Sequence, residues 1–196
     1  LADEYTKMAR SPVLNLIGRT SLPELQALLT RVRLLVSNDT GTLHLAAGMK
    51  TPCVGIFLAT AQPWDTGPYL ENCLCIEPDL PCHPCAFQTV CSEHYRCRES
   101  ISPNPVADQI LHFIRTGTWL RPENNPHMRL WQTVFDDQNM FDLQSLSDHA
   151  HAARTLYIRH QRLFWRQFLG YLDGTPYQPD GQKDLPPCPQ AFLTRV

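Results

Sequence analysis

The stretch LLVSNDTGTLHLAA at residues 34–47 decides the fold of this chain. Its first four residues predict a short buried strand, and the polar turn that follows opens directly into a helix with a small apolar stripe. A second strand is predicted over residues 53–58, after Thr51 and Pro52 have ended the helix. Strand, turn, helix and strand form a βαβ crossover, and ligands of such sheets bind at the carboxyl ends of the parallel strands.

The turn at residues 38–41 favours the binding of an anion. The first N–H groups of a helix lack intrahelical partners, and the helix dipole adds a partial positive charge, so a phosphate binds there without a lysine. Gly41 lets such a ligand approach the backbone closely. The alternative is that Asn38 and Asp39 only cap the helix, since both residue types are common N-caps. This pattern alone leaves both interpretations open.

Further blocks of sequence extend the pattern on both sides of the turn. Residues 16–25 read LIGRTSLPEL, residues 67–69 read GPY, and a cysteine-bearing loop precedes ISP at residues 101–103. Together with the turn, and in this order, these blocks resemble the C-terminal half of glycosyltransferase family 9, the ADP-heptose:lipopolysaccharide heptosyltransferases. The resemblance runs from Leu16 to about Ile114. Residues 58–63 depart from it, because the family has G-P-T-D-P at this place.

The resemblance implies a fold and a reaction. The fold is α/β, a Rossmann-like parallel sheet with flanking helices, as in the C-terminal domain of a GT-B glycosyltransferase. We expect residues 1–117 to form this nucleotide-sugar-binding domain, with a cysteine-rich loop at 82–97, and residues 118–196 to form a helical appendage with a proline-rich tail. The implied bacterial reaction transfers heptose from ADP-heptose to a lipopolysaccharide-type acceptor, without a cofactor, in the cytoplasm or at the periphery of the inner membrane. The acceptor-binding domain and its general base are expected outside this chain, which alone should bind donor but not transfer sugar.

By the same resemblance, a set of residues is expected to bind the donor. The backbone N–H groups and hydroxyls around the turn would hold the diphosphate, Asp39 would orient the turn, and His44 would stabilise the leaving group. Residues after a strand predicted at 13–16 would contact the adenine and ribose. The alternatives are a His44 satisfied by a carbonyl and a Ser21 that caps the next helix, with Glu24 completing a capping box. The expected donor-binding residues are Thr20, Ser21, Leu22, Asp39, Thr40, Gly41, Thr42 and His44.

The cysteine-rich loop carries four of the eight cysteines of the chain. Cys82, Cys85, Cys91 and Cys97 lie within sixteen residues, a spacing that a tetrahedral metal site uses. Thiolates bind zinc or an iron–sulfur cluster, and we favour a structural zinc. The alternatives are free thiols or disulfides. No neighbouring base is placed to activate a cysteine for catalysis.

The second half of the chain predicts helices. Residues 105–114 have helical spacing with Gly117 as the stop, and the pattern is also helical over Met128–Phe135 and over residues 143–172. Residues 174–189 are rich in proline. On the last helix, Arg159, Arg162 and Arg166 share a stripe that would either be solvated or contact anionic lipid or lipopolysaccharide.

Composition excludes some classes of function. With 17 basic and 19 acidic residues the net charge is −2, and the pI is near 6.5, which argues against nucleic acid as a partner. No stretch is long and apolar enough for a transmembrane segment. Three hypotheses follow: a glycosyltransferase donor domain, a related GT-B enzyme such as a nucleotide-sugar epimerase, or a non-catalytic interaction module that retains the fold.

Overall fold

Within residues 2–122 and 127–174, the part of the chain that the computed structural model describes, five strands form one sheet in sequence order. The first three strands run parallel to one another, whereas the fourth is antiparallel to both of its neighbours, the third and the fifth. The expected Rossmann-like α/β fold with flanking helices is therefore confirmed, and its sheet is mixed rather than wholly parallel. The strands are β1 Leu35–Asn38, β2 Cys53–Ile56, β3 Leu74–Pro78, β4 Met128–Phe135 and β5 Phe141–Ser145.

Helices cover both faces of this sheet. Because successive strand residues point to opposite faces, the core divides in two. One half packs Leu43 of α3 and Trp64 of α4 against Trp131, while the other packs Phe113 of α6 against the opposite face. The helices are α1 Ala2–Met8, α2 Leu22–Leu29, α3 Gly41–Gly48, α4 Pro63–Thr66, α5 Cys97–Ser100, α6 Pro103–Thr116 and α7 Ala153–Leu172.

The predicted βαβ crossover is confirmed as β1, α3 and β2, and so is the helix that ends at Gly117. Gly117 has φ +74°, and its N–H donates to the carbonyl of Phe113, which closes α6 as a left-handed C-cap. The parallel register places Asn38 level with Ile56 and Ile76, so the carboxyl ends of the three parallel strands meet at one edge. This edge positions the candidate site.

Two secondary-structure predictions are wrong and a third is wrong in its first residues. Residues 13–16 are not a strand: Leu14 is 78% exposed, and the segment pairs with no strand in the described part of the chain. Met128–Phe135 is a strand and not a helix, because it is buried on both faces between β3 and β5 and its apolar residues therefore lack a strand-like alternation. The predicted helix over residues 143–172 begins only at Ala153, and residues 143–145 belong to β5 instead.

The arginine stripe of α7 faces the protein. Arg159 and Arg162 donate to the carbonyls of Leu143 and Phe141, and Arg166 pairs with the Asp136 carboxylate. The alternative of a solvated stripe is therefore wrong, because β5 and the turn before it engage these guanidinium groups, and contact with anionic lipid or lipopolysaccharide stays a prediction. None of the described helices is sufficiently long and apolar to span a membrane. The proline-rich stretch beyond residue 174 lies outside the described residues.

Candidate functional site

The turn between β1 and α3 leaves backbone donors unpaired. Thr40 is the N-cap residue of α3, and its carbonyl accepts the N–H of Leu43 at 3.0 Å. No acceptor from the described residues pairs with the N–H groups of Thr40, Gly41 or Thr42. A Cβ added at Gly41 would meet nothing within 4 Å, so the backbone is open to a ligand at this point. The local sequence thus leaves a set of unpaired backbone donors at this turn.

Side chains on either side of the turn fix its shape. The Thr66 hydroxyl, at the end of α4, donates to the Asp39 carboxylate at 2.7 Å. The other carboxylate oxygen of Asp39 lies 3.5 Å from Nε2 of His44, whose side chain is 47% exposed. The Ser37 and Thr40 hydroxyls lie 3.2 Å apart. His44 therefore has an accessible imidazole that lies one helical turn from the unpaired amides and next to the Asp39 carboxylate.

The local sequence does not identify Thr66 as part of the site. It lies 27 residues from Asp39 along the chain, and the only local signal was its position directly before the GPY block. Close packing explains why position 67, which opens that block, is a glycine. A Cβ there would stand 2.5 Å from the carbonyl oxygen of Pro63 and 2.8 Å from the Phe141 ring. Thr66 is therefore held where α4 packs closely against β5.

Residues 20–22 lie at the exposed start of α2. The Glu24 carboxylate accepts both the backbone N–H and the hydroxyl of Ser21, each at 2.7 Å, and these hydrogen bonds lower the pKa of Glu24. The predicted capping contact is thus confirmed. Among the described residues, no hydrogen bond or ion pair joins Thr20, Ser21 or Leu22 to the turn at residues 38–44. Their contact with adenine or ribose stays a prediction.

The four cysteines of the loop line one cleft of about 550 Å³. All four are free thiols. Cys82 is exposed and the others are half-buried, and Cys91 Sγ accepts the N–H of Tyr95 at 3.3 Å. Burial, and then the neighbouring Cys82, Cys97 and Cys91, raise the pKa of Cys85. Within the described ranges, no three His, Cys, Asp or Glu side chains are grouped so that they could hold a metal ion. The cysteines as they stand therefore do not form the ligand set of the predicted zinc site, and zinc binding stays a prediction that elemental analysis would test.

A buried ionic cluster lies beside the site at the same sheet edge. Glu77 of β3 is fully buried and is contacted by Arg154 of α7 and Arg129 of β4. Burial raises the pKa of Glu77, but the two arginines outweigh it and hold the carboxyl below its ordinary pKa. His83 lies 3.5 Å from Glu77, and burial lowers the pKa of this imidazole to about 4, so it is neutral near pH 7.

Comparison with known proteins identifies similar sequences. The model of glycosyltransferase family 9 (heptosyltransferase) matches residues 1–96. Lipooligosaccharide heptosyltransferase 2 of Campylobacter jejuni is 30% identical over 109 residues, which cover 54% of this chain and 33% of that protein. Lipopolysaccharide core heptosyltransferase OpsX of Haemophilus influenzae is 34% identical over 74 residues, 37% of this chain and 21% of that protein. The chain thus spans about a third or less of the length of these relatives.

No solved structure matches the chain significantly. The family match covers the β1–α3 turn and most of the cysteine-rich loop, which are two of the blocks that carried the resemblance in the sequence. Residues 1–96, just under half of the chain, therefore match glycosyltransferase family 9, the heptosyltransferase family, and this similarity supports membership of the chain in that family.

Proposed function

We propose that this chain is the donor-binding half of a glycosyltransferase that transfers heptose from ADP-heptose to a lipopolysaccharide-type acceptor. The observation that carries the proposal is the set of unpaired N–H groups at Thr40, Gly41 and Thr42, at the carboxyl edge of three parallel strands. Such donors bind the pyrophosphate of a nucleotide sugar through the helix N-terminus. The names of the relatives support heptose and lipopolysaccharide as the substrates.

The proposed chemistry follows from what sugar transfer requires. An acceptor hydroxyl attacks the anomeric carbon, a base takes its proton, and the bond to the nucleoside diphosphate breaks with the electron pair on the departing oxygen. This chain would supply the last function. Fixed N–H donors aimed at the diphosphate stabilise the charge that grows on it in the transition state. The general base would come from an acceptor-binding domain, so the chain alone would bind donor without transferring sugar.

His44 would act on the same leaving group. Its exposed imidazole lies beside the Asp39 carboxylate, with Nε2 3.5 Å from a carboxylate oxygen. A ring N–H of this imidazole would donate a hydrogen bond to the β-phosphate. Asp39 itself would not contact phosphate, because two negative groups repel each other. It would hold His44 and the turn instead, with Thr66 satisfying its second oxygen.

Isothermal titration calorimetry with ADP, GDP and UDP tests the proposal on the full chain. We expect saturable binding that is tightest for ADP and about 10-fold weaker for His44→Ala and Asp39→Ala. His151→Ala, which alters an exposed histidine outside the turn, is the matched control and should bind as the wild type does. An absence of saturable binding by the folded chain to any of the three nucleotides would contradict the proposal and favour the interaction module.

A further inference from the structure

Glu77 forms the inner end of a chain of contacts that leads to the candidate site. It is the penultimate residue of β3 and directly follows Ile76, which lies level with Ile56 and Asn38 at the carboxyl edge. Its carboxylate accepts from Arg154 at 2.7 and 3.2 Å and from the indole N–H of Trp131 at 3.0 Å. A buried ion pair contributes little net stability compared with apolar packing, so its use in a fold is often to specify geometry.

Arg154 links Glu77 of β3 to Gln62, in the loop before α4. Nη1 of its guanidinium donates to Glu77 at 2.7 Å, and Nη2 donates both to Glu77 at 3.2 Å and to the side-chain oxygen of Gln62 at 2.7 Å. The planar fork of arginine fixes both acceptors at once, which a lysine cannot do. Gln62 and Arg154 are 92 residues apart, and Gln62 belongs to the loop that departs from the family's G-P-T-D-P block.

Gln62 in turn fixes α4. It is the N-cap residue of this helix, its side-chain NH₂ donates to Asp65 at 2.7 Å, and its carbonyl accepts the N–H of Thr66 at 3.2 Å. A helix of four residues does not hold its own conformation, because one turn is below the length at which helix formation is favourable. Trp64 anchors α4 in the core against Trp131, and Gln62 supplies a second attachment that sets its rotation.

The outer end of the chain of contacts is the turn. Thr66 donates to Asp39, and Asp39 lies beside His44. We infer that Gln62 is a positioning residue for the diphosphate-binding turn: held by Arg154 on Glu77, it orients α4 so that Thr66 keeps Asp39 and His44 in place. Its importance for affinity rests on the proposed function, but its structural effect can be measured without a ligand.

NMR of the ligand-free chain measures that effect. Gln62→Ala should shift the side-chain carboxyl ¹³C resonance of Asp39 and the backbone amides of residues 39–44. Thr66→Val should shift the same resonances and Thr66→Ser should restore them, because serine keeps the hydroxyl. Gln167→Ala, an exposed glutamine of α7, is the matched control and should leave them unchanged. Unchanged Asp39 and amide resonances in folded Gln62→Ala would overturn the inference.

A rescue variant separates positioning from a general loss of stability. In Gln62→Glu/Asp65→Asn the carboxylate still accepts from Arg154, and the new amide at position 65 donates back to it, so the link is restored with reversed polarity. We expect Gln62→Ala to bind ADP about 10-fold more weakly than the wild type, with the double variant close to the wild type. If the wild-type chain binds no nucleotide, the proposed function fails, while the NMR arm still decides the inference. If the wild type binds and Gln62→Ala binds equally well, the inference is overturned.

Discussion

At the level of single residues, substitutions of two glycines of α3 distinguish an effect on ligand binding from an effect on folding. Neither Gly41 nor Gly48 has a positive φ, and a Cβ at either would meet nothing within 4 Å. Gly→Ala at such positions stabilises a protein by about 0.4–1 kcal/mol, because the unfolded chain loses freedom. We therefore expect thermal denaturation to show that Gly41→Ala and Gly48→Ala are at least as stable as the wild type.

Their nucleotide affinities should differ. The Cβ of Gly41→Ala would stand at the unpaired amides and hinder the approach of a diphosphate, so ADP binding should weaken by about 10-fold or more. Gly48→Ala lies at the other end of the helix and should bind as the wild type does. Equal ADP affinities for the two variants in calorimetry would argue against phosphate approach at Gly41.

The turn could be predicted from the sequence because its parts are adjacent. Residues 38–44 contain the strand end, the N-cap, the glycine and the histidine in a single local pattern. Thr66, Gln62 and Arg154 could not be found in this way, because each reaches its partner across 27 to 92 residues. Such contacts depend on tertiary packing, which leaves no local signal.

At the scale of elements, α4 depends on a close approach to β5. A Cβ at Gly67 would stand 2.5 Å from the backbone carbonyl of Pro63, which cannot move without opening α4. Gly67→Ala should lower the free energy of unfolding by roughly 1–3 kcal/mol, as overpacked cores do. Urea denaturation measures this, with Gly48→Ala as the control. A stability equal to the wild type would show that α4 shifts freely.

Secondary structure was predictable where one face of an element is exposed. In α6, buried Val106, Gln109 and Phe113 alternate with exposed positions at helical spacing, and Gly117 ends the pattern. In β4, residues 128–131 are all buried, because helices or neighbouring structure cover both faces of the strand. Because buried positions do not alternate along this strand, and the charged Arg129 is among them, a strand and a helix could not be distinguished there by periodicity.

At the scale of the whole molecule, buried charges at the sheet edge should make stability depend on pH. Arg154 and Arg129 hold the pKa of Glu77 below its ordinary value despite burial, and Arg129 with His149 does the same for Asp79. Since the unfolded chain then binds protons more readily, this contribution is present at neutral pH, begins to fall near the ordinary carboxyl pKa of about 4, and is lost as the pH drops through the lowered pKa of the folded state. Urea denaturation at pH 7, 4 and 3 should show this decline.

In Arg154→Met, the contribution of Glu77 to stability should have the opposite pH dependence and rise as the pH is lowered. Removing one partner of a buried ion pair costs roughly 3–5 kcal/mol, because the remaining charge is left without its compensation. Protonation of Glu77 relieves that cost, so the stability difference from the wild type should shrink between pH 7 and pH 4. Arg31→Met, at an exposed arginine, is the control. A difference that grows with acid would contradict the assignment of Glu77 as a buried carboxylate that depends on Arg154.

The central claim is that the backbone N–H groups of Thr40, Gly41 and Thr42 hold the diphosphate of a nucleotide sugar. Titration of the ¹⁵N-labelled chain with ADP, followed by ¹H–¹⁵N NMR, tests it most directly. Diphosphate binding at the turn should give saturable downfield shifts that are largest at these three amides. Saturable shifts confined to other residues, or none at millimolar ADP, would contradict it.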